Sequence, residues 1–152
     1  ADLNRSASIS TTSESDLMNA EMNLDSRIFV AGHRGLVGSA IVRCLIQRDT
    51  LVRALVRPGS DRRNLAGLNI ELVEIDMLDH SAMRRALDGC DWLFHVAAMY
   101  STRDEDSDKM YSVNVGGTTN LLEAMKGVAP LPKVVFISSF SVYGACQDKR
   151  GC

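Results

Sequence analysis

Three glycines at three-residue spacing, Gly32, Gly35 and Gly38, separate the apolar run RIFV at 27–30 from the helix-patterned run SAIVRCLIQ at 39–47. A strand that turns straight into a helix leaves the first N–H groups of that helix unpaired and partially positive, and a side chain on the turn would hold an anion away from them. The expected division of labour is therefore distinct for each position. Gly32 permits the tight turn out of the strand, Gly35 lets a ligand meet the backbone, and Gly38 lets the helix pack against the sheet. Such a loop commits the chain to a strand–turn–helix unit, and the pattern beyond it decides which fold that unit begins.

Beyond the loop, short β-rich runs at 27–31, 51–56, 70–75, 91–97 and 133–139 alternate with helical patterns. That alternation is the signature of an α/β chain with a doubly wound parallel sheet of about five strands. In the first helix Leu36, Val37, Ala40, Ile41, Cys44 and Leu45 recur at helical spacing and predict a buried stripe. A shorter helix is expected over His80–Leu87, and the longest from near Asp106 to about Lys126, with Met110, Val113, Gly117, Leu121, Leu122 and Met125 on one face. Gly116 and Gly117 each lower helix propensity by about 1 kcal/mol, so close packing against a neighbour is the expected reason for the pair. Right-handed crossovers then put any ligand at the carboxyl ends of the strands, where the glycine loop lies.

Composition narrows the partner. A formal charge of −2 with no basic stripe speaks against nucleic acid and against a membrane surface, and leaves a small molecule as the expected ligand. No apolar run approaches the roughly 18 residues that span a bilayer. Residues 1–26, rich in Ser, Thr, Asn and acids, are expected to form a disordered tail ahead of a single domain over 27–152. Four cysteines (Cys44, Cys90, Cys146, Cys152) form no C-x-x-C pair, and two of them, Cys44 and Cys90, fall where helix or strand cores are expected, which reads as buried thiols in a reducing, cytoplasmic setting.

A strand, glycine loop and helix in that order predict a dinucleotide loop, and the absence of Gly-Lys-Ser/Thr after it argues against a nucleoside-triphosphate loop. The N–H groups of Leu36 and Val37 open the helix and belong to the same candidate set. At the end of the second strand an acid would bind a free ribose 2′-hydroxyl, but this chain has Arg57 there and Arg34 inside the loop. The pair predicts NADP in preference to NAD. Arg62 and Arg63 read as solvated surface charges or as further phosphate ligands. His33 and His95 have no metal-ligand companions at suitable spacing and read as a loop residue and a strand-end residue.

Further motifs follow in a fixed order: Asp76-Met77 after the third strand, HVAA at 95–98, N-x-x-G-T at 114–118 and SSFSVYG at 138–144. With the G-x-x-G-x-x-G loop, the stretch 27–144 resembles the extended short-chain dehydrogenase/reductase superfamily, the NAD-dependent epimerases, dehydratases and reductases, and its Rossmann fold. The loop is most similar to that of GDP-L-fucose synthases, the middle part to epimerases and dihydroflavonol-reductase-like members.

The resemblance implies that Asp76 accepts a hydrogen bond from the adenine amino group, Met77 covers the ring, and Ala97 and Ala98 let the ribose and nicotinamide side approach. Asn114 would support the catalytic region from the long helix, and Ser139 would be the hydroxyl that bonds the substrate oxygen. It also implies a proton-donating tyrosine with a lysine four residues on, a pair these 152 residues lack: Tyr100, Tyr111 and Tyr143 are followed at that distance by Asp104, Val115 and Gln147, and Lys149 is misplaced. The chain is thus expected to be the amino-terminal part of the family fold and to bind coenzyme without turnover. The alternatives are a stand-alone NADP-binding regulatory or redox-sensing module and a barely folded fragment. A homodimer through the long helix is the family's arrangement, and the sequence leaves the oligomeric state open.

Overall fold

The computed structural model describes Met22 and residues 25–139. Five parallel strands, β1 (Arg27–Ala31), β2 (Leu51–Val56), β3 (Glu71–Glu74), β4 (Trp92–His95) and β5 (Lys133–Phe136), form one sheet in the order β3-β2-β1-β4-β5. The chain steps outward from β1 to β3, then crosses to the other side of β1 for β4 and β5. That reversal makes a switch point between β1 and β4, where loops leave the sheet in opposite directions and open a crevice.

Burial explains why RIFVA reads as an unbroken apolar run. As the central strand, β1 has both faces covered, and Ile28, Phe29, Val30 and Ala31 are all fully buried. Alternate residues then feed two cores. Ile28 and Val30 meet Val42 and Leu45 of helix α1 (Leu36–Ile46), with Val52, Trp92 and Phe94. Phe29 and Ala31 face the opposite layer with Met83, Ala86 and Leu87 of α2 (His80–Leu87) and Leu121, Ala124 and Met125 of the long helix. α2 starts where Asp79 accepts the Ala82 N–H at 2.9 Å, a side-chain cap that holds the Asp79 carboxyl below its usual pKa.

The long helix is continuous from Ser107 to Met125 but changes winding. An α-helical turn α3 (Ser107–Tyr111) passes through a π-helical turn, Ser112–Gly116, into α4 (Gly117–Met125). A π-turn rotates the residues beyond it around the helix axis, which the regular 3.6-residue spacing does not foresee. Leu122, expected on the buried face, is 43% exposed.

The first helix also departs from its expected stripe. Gly38, Val42 and Leu45 make its buried face, Ile41 is half-buried, and Leu36, Val37, Ala40 and Cys44 are exposed. The apolar residues Leu36 and Val37 lie in the first turn, beyond the edge of the sheet, so no strand stands opposite them. Of the two cysteines expected in cores, only Cys90 is buried. Cys146, Cys152 and the VYG turn with Tyr143, like most of the expected tail, lie outside the described residues.

Glycine is demanded at two loop positions. Gly32 has φ +106°, and a Cβ there would lie 2.4 Å from the Ala97 nitrogen; a Cβ on Gly38 would lie 2.1 Å from the Gly32 carbonyl oxygen. Gly38→Ala is accordingly expected to lower stability by about 2–3 kcal/mol, as overpacking against rigid backbone does, read as a lower urea midpoint with unchanged slope. An unchanged midpoint would contradict the close helix–loop packing.

Candidate functional site

The parallel register brings the strand ends level: Ala31 pairs with Leu55 and His95, Leu55 with Val73, and His95 with Phe136. The residues just past each strand therefore share one edge of the sheet. They wall a cleft of about 620 Å³ that includes eight of the sequence candidates, Gly32, Arg34, Gly35, Arg57, Asp76, Met77, Ala97 and Ala98. Leu36, Val37, Gly38 and Ser139 stand outside its lining. Leu36 is 88% exposed in the first turn of α1, Gly38 is buried beneath the loop, and Ser138 and Ser139 are exposed beyond β5.

Gly35 differs from its two partners. Its backbone is extended (φ −71°, ψ 166°), and a Cβ built on it would meet only the Gly32 oxygen, at 4.0 Å. No contact within the described residues demands glycine there. The residue precedes α1, which has no side-chain cap and no acid in its first turn, so the helix start faces the cleft without an internal anion. A bare turn at an uncapped helix start fits a diphosphate, whose oxygens would take the N–H groups that a side chain would shield.

The arginines divide into two groups. Arg62 pairs with Glu74 and Arg63 with Asp61, the latter at 2.6 Å on the open surface, where the contact lowers the Asp61 pKa. Both act as surface charges. Arg34 and Arg57 line the cleft, and among the described residues neither forms an ion pair. Asp76 accepts the Leu78 N–H at 2.9 Å, which fixes its carboxylate at the end of β3. Met77 is held on both sides: Asn120 Nδ2 donates to its carbonyl, and its Cε would lie 3.2 Å from a Cβ on Gly117. That approach accounts for Gly117, whereas Gly116 meets Leu78 only at ordinary contact distance.

Asn114 works from the π-turn. Its Oδ1 accepts the Met99 N–H at 2.7 Å and its Nδ2 donates to the Met99 carbonyl at 2.8 Å, so one side chain mimics a strand and pins the segment after β4. The rest of the lining includes residues the sequence did not mark as cleft residues, among them Lys109, Ser112 and Val113 of the long helix, Leu78 after β3 and the buried Leu55. Lys109 sits one turn before the asparagine motif, and with the helix phase reset at Ser112 only the N-x-x-G-T spacing hinted at this face.

Two histidines are buried at the same edge. His95 Nε2 lies 2.8 Å from Thr118 Oγ1, and its ring packs edge-on to Phe136 at 5.3 Å. Its Nδ1, like both ring nitrogens of His33, has no hydrogen-bond partner among the described residues. Burial lowers the pKa of both; for His33 the Leu55 backbone opposes that effect and the Arg34 charge adds to it.

A model of the NAD dependent epimerase/dehydratase family matches residues 28–151. The chain belongs to that family. Among curated relatives of this epimerase/dehydratase member, "Sterol demethylase protein B" of Methylococcus capsulatus is 39% identical over 115 residues, covering 76% of this chain and 35% of that protein. "Cinnamoyl-CoA reductase 1" of Petunia hybrida is 33% identical over 119 residues, covering 74% and 34%. A solved short-chain dehydrogenase/reductase superfamily protein from Agrobacterium tumefaciens with bound NAD superposes with a TM-score of 0.64 at 34% identity, over 78% of this chain and 34% of that one. The chain thus spans about a third of the length of these relatives. Among the described residues no helix is long and apolar enough to cross a membrane.

The buried histidines give this family member a pH signature. Both titrate below 6.5 when folded, so the unfolded chain binds more protons below that pH and the stability is fully present only above it. Urea midpoints are expected to fall as pH drops from 7 to 5, with a shallower fall in His95→Gln. A flat profile across that window would contradict the burial of neutral imidazoles.

Proposed function

We propose that this chain is the coenzyme-binding part of an NADP(H)-dependent oxidoreductase, reductase or epimerase whose remaining machinery lies in further sequence. The observation that carries the reading is the cleft wall itself: an uncapped helix start behind a glycine that no contact among the described residues requires, flanked by Arg34 and Arg57, which form no ion pair among those residues. Gly35 and the N–H groups of Leu36 and Val37 would hold the diphosphate. Arg34 and Arg57 would grip a 2′-phosphate, Asp76 and Met77 the adenine, and Ala97 and Ala98 would give room to the ribose and nicotinamide. The coenzyme, when bound, supplies or accepts hydride.

Preference for NADP over NAD rests on charge. The end of β2 carries Arg57 where a ribose-binding acid would otherwise stand, and a charge-assisted hydrogen bond to phosphate is worth about 1.5–3 kcal/mol. The bound NAD of the Agrobacterium protein keeps NAD as the competing reading.

Catalysis is expected to need more than these residues. Ser139, exposed past β5, is the residue to which this reading gives the family's substrate-binding hydroxyl, and the Tyr-x-x-x-Lys pair has no counterpart in the 152 residues. Sugar nucleotides are the substrate class of the motif resemblance, and the reductase among the named relatives keeps reduction of another small molecule as the second reading. A cytoplasmic setting is part of the reading on the cysteine spacing alone. The stand-alone regulatory alternative has no specific observation in its favour.

Calorimetric titration at neutral pH tests the coenzyme choice. NADPH is expected to bind at least tenfold tighter than NADH, and Arg34→Ala or Arg57→Ala to weaken NADPH about 10- to 100-fold while leaving NADH nearly unchanged. Equal affinities in the unaltered chain would overturn the NADP reading.

A further inference from the structure

We propose that His33 is a coenzyme-phosphate residue: its imidazole takes up a proton when a phosphate of the coenzyme settles on the glycine loop, and as imidazolium it supplies a counter-charge beneath that phosphate. The inference rests on the coenzyme reading above and adds to it a residue and a proton.

Three observations carry it. First, His33 lies inside the loop, between Gly32 and Gly35, lines the cleft and is only 2% exposed. Second, neither ring nitrogen has a hydrogen-bond partner among the described residues. A neutral imidazole always carries one donor and one acceptor, and folded proteins rarely leave buried polar groups unmatched. The Leu55 backbone lies near enough to the ring to act on its titration without closing a hydrogen bond, and the bond that ties the residue down runs from Asn64 Nδ2 to the His33 backbone carbonyl, which any residue would offer.

Third, the charges facing the ring are arranged to reverse on binding. In the loop, Arg34 stands beside it; after β2, Arg57 shares the cleft wall; from α3, Lys109 adds a third cation. Against these stands Asp76 after β3. Asp61 is engaged by Arg63, and β2 presents the Leu55 backbone. Burial, with the Arg34 charge adding to it and the Leu55 backbone opposing it, favours the neutral ring in the free chain. A bound phosphate brings one or two negative charges into that low-dielectric surrounding and makes the protonated ring the favoured form. Proton uptake and coenzyme binding are then linked, each strengthening the other.

NMR titration of the full chain follows its three imidazoles, His33, His80 and His95, with and without NADP⁺ or NAD⁺. The His33 midpoint is expected to rise by at least one pH unit with NADP⁺, while exposed His80 stays put. A rise with NADP⁺ alone assigns the effect to the 2′-phosphate, and a rise with both coenzymes to the diphosphate. In parallel, NADP⁺ affinity is expected to increase severalfold from pH 8 to pH 6, the full factor of about ten for a one-unit shift being reached only below both midpoints, with most of that gain lost in His33→Gln. If NADP⁺ moves the Gly32 and Gly35 amide signals but the His33 midpoint stays fixed, this inference is wrong and the coenzyme reading stands. If those amides do not respond at any pH, the coenzyme reading itself fails. Should the variant not fold, the titration of the unaltered chain still decides.

Discussion

Backbone meeting backbone at the switch point is the constraint on which the rest of the structure depends. The Gly38 position leaves no room for a Cβ against the Gly32 carbonyl, and Gly32 leaves none against Ala97. Those two contacts draw the start of α1, the end of β1 and the segment after β4 into one rigid corner. Without them the helix would stand off from the sheet, and its uncapped start would lose its place beside the cleft that Gly35 lines. Asn114 extends the same corner by pinning Met99 through two hydrogen bonds. The cleft is thus a consequence of packing before it is a binding site.

Electrostatics then gives the cleft a direction. Cations gather on the loops after β1 and β2, where Arg34 and Arg57 stand, while the end of β3 offers the carboxylate of Asp76 and the thioether of Met77. The ends of β4 and β5 carry small or neutral groups, Ala97, Ala98, Ser138 and Ser139. An elongated ligand with phosphate at one end and an uncharged reactive ring at the other matches that gradient. Two imidazoles, His33 and His95, are buried at the same edge, which ties stability to protonation.

Much of this was legible in the sequence, for physical reasons that can be named. The order of strands and the glycine spacing follow from burial and steric exclusion, which act on residues a few positions apart and leave a local trace. Cleft residues just past the strands, such as Arg57, Asp76 and Ala97, are found by counting from strand ends because the parallel register is level. Long-range effects left weaker traces. Leu36 and Val37 fit a helical stripe, yet are exposed in the first turn of α1, uncovered by any of the described residues. The π-turn at Ser112–Gly116 shifts the phase of the long helix, so Leu122 turns outward and Lys109, Ser112 and Val113 join the cleft. Whether Arg62 and Arg63 face a ligand or each find an acid depended on Glu74 and Asp61 and on the loop between β2 and β3, which no spacing rule describes.

The central claim is that Gly35 is glycine for the sake of a ligand and not for the fold. Gly35→Val, measured for both urea stability and NADPH affinity, tests it most directly. Because a Cβ there meets nothing closer than 4.0 Å, stability is expected to change by no more than about 1 kcal/mol, the gain from a stiffer unfolded chain set against the poorer N-cap that Val makes, while NADPH binding falls at least 100-fold. A variant that binds NADPH as tightly as the unaltered chain, or one that loses binding only because it no longer folds, would contradict the account.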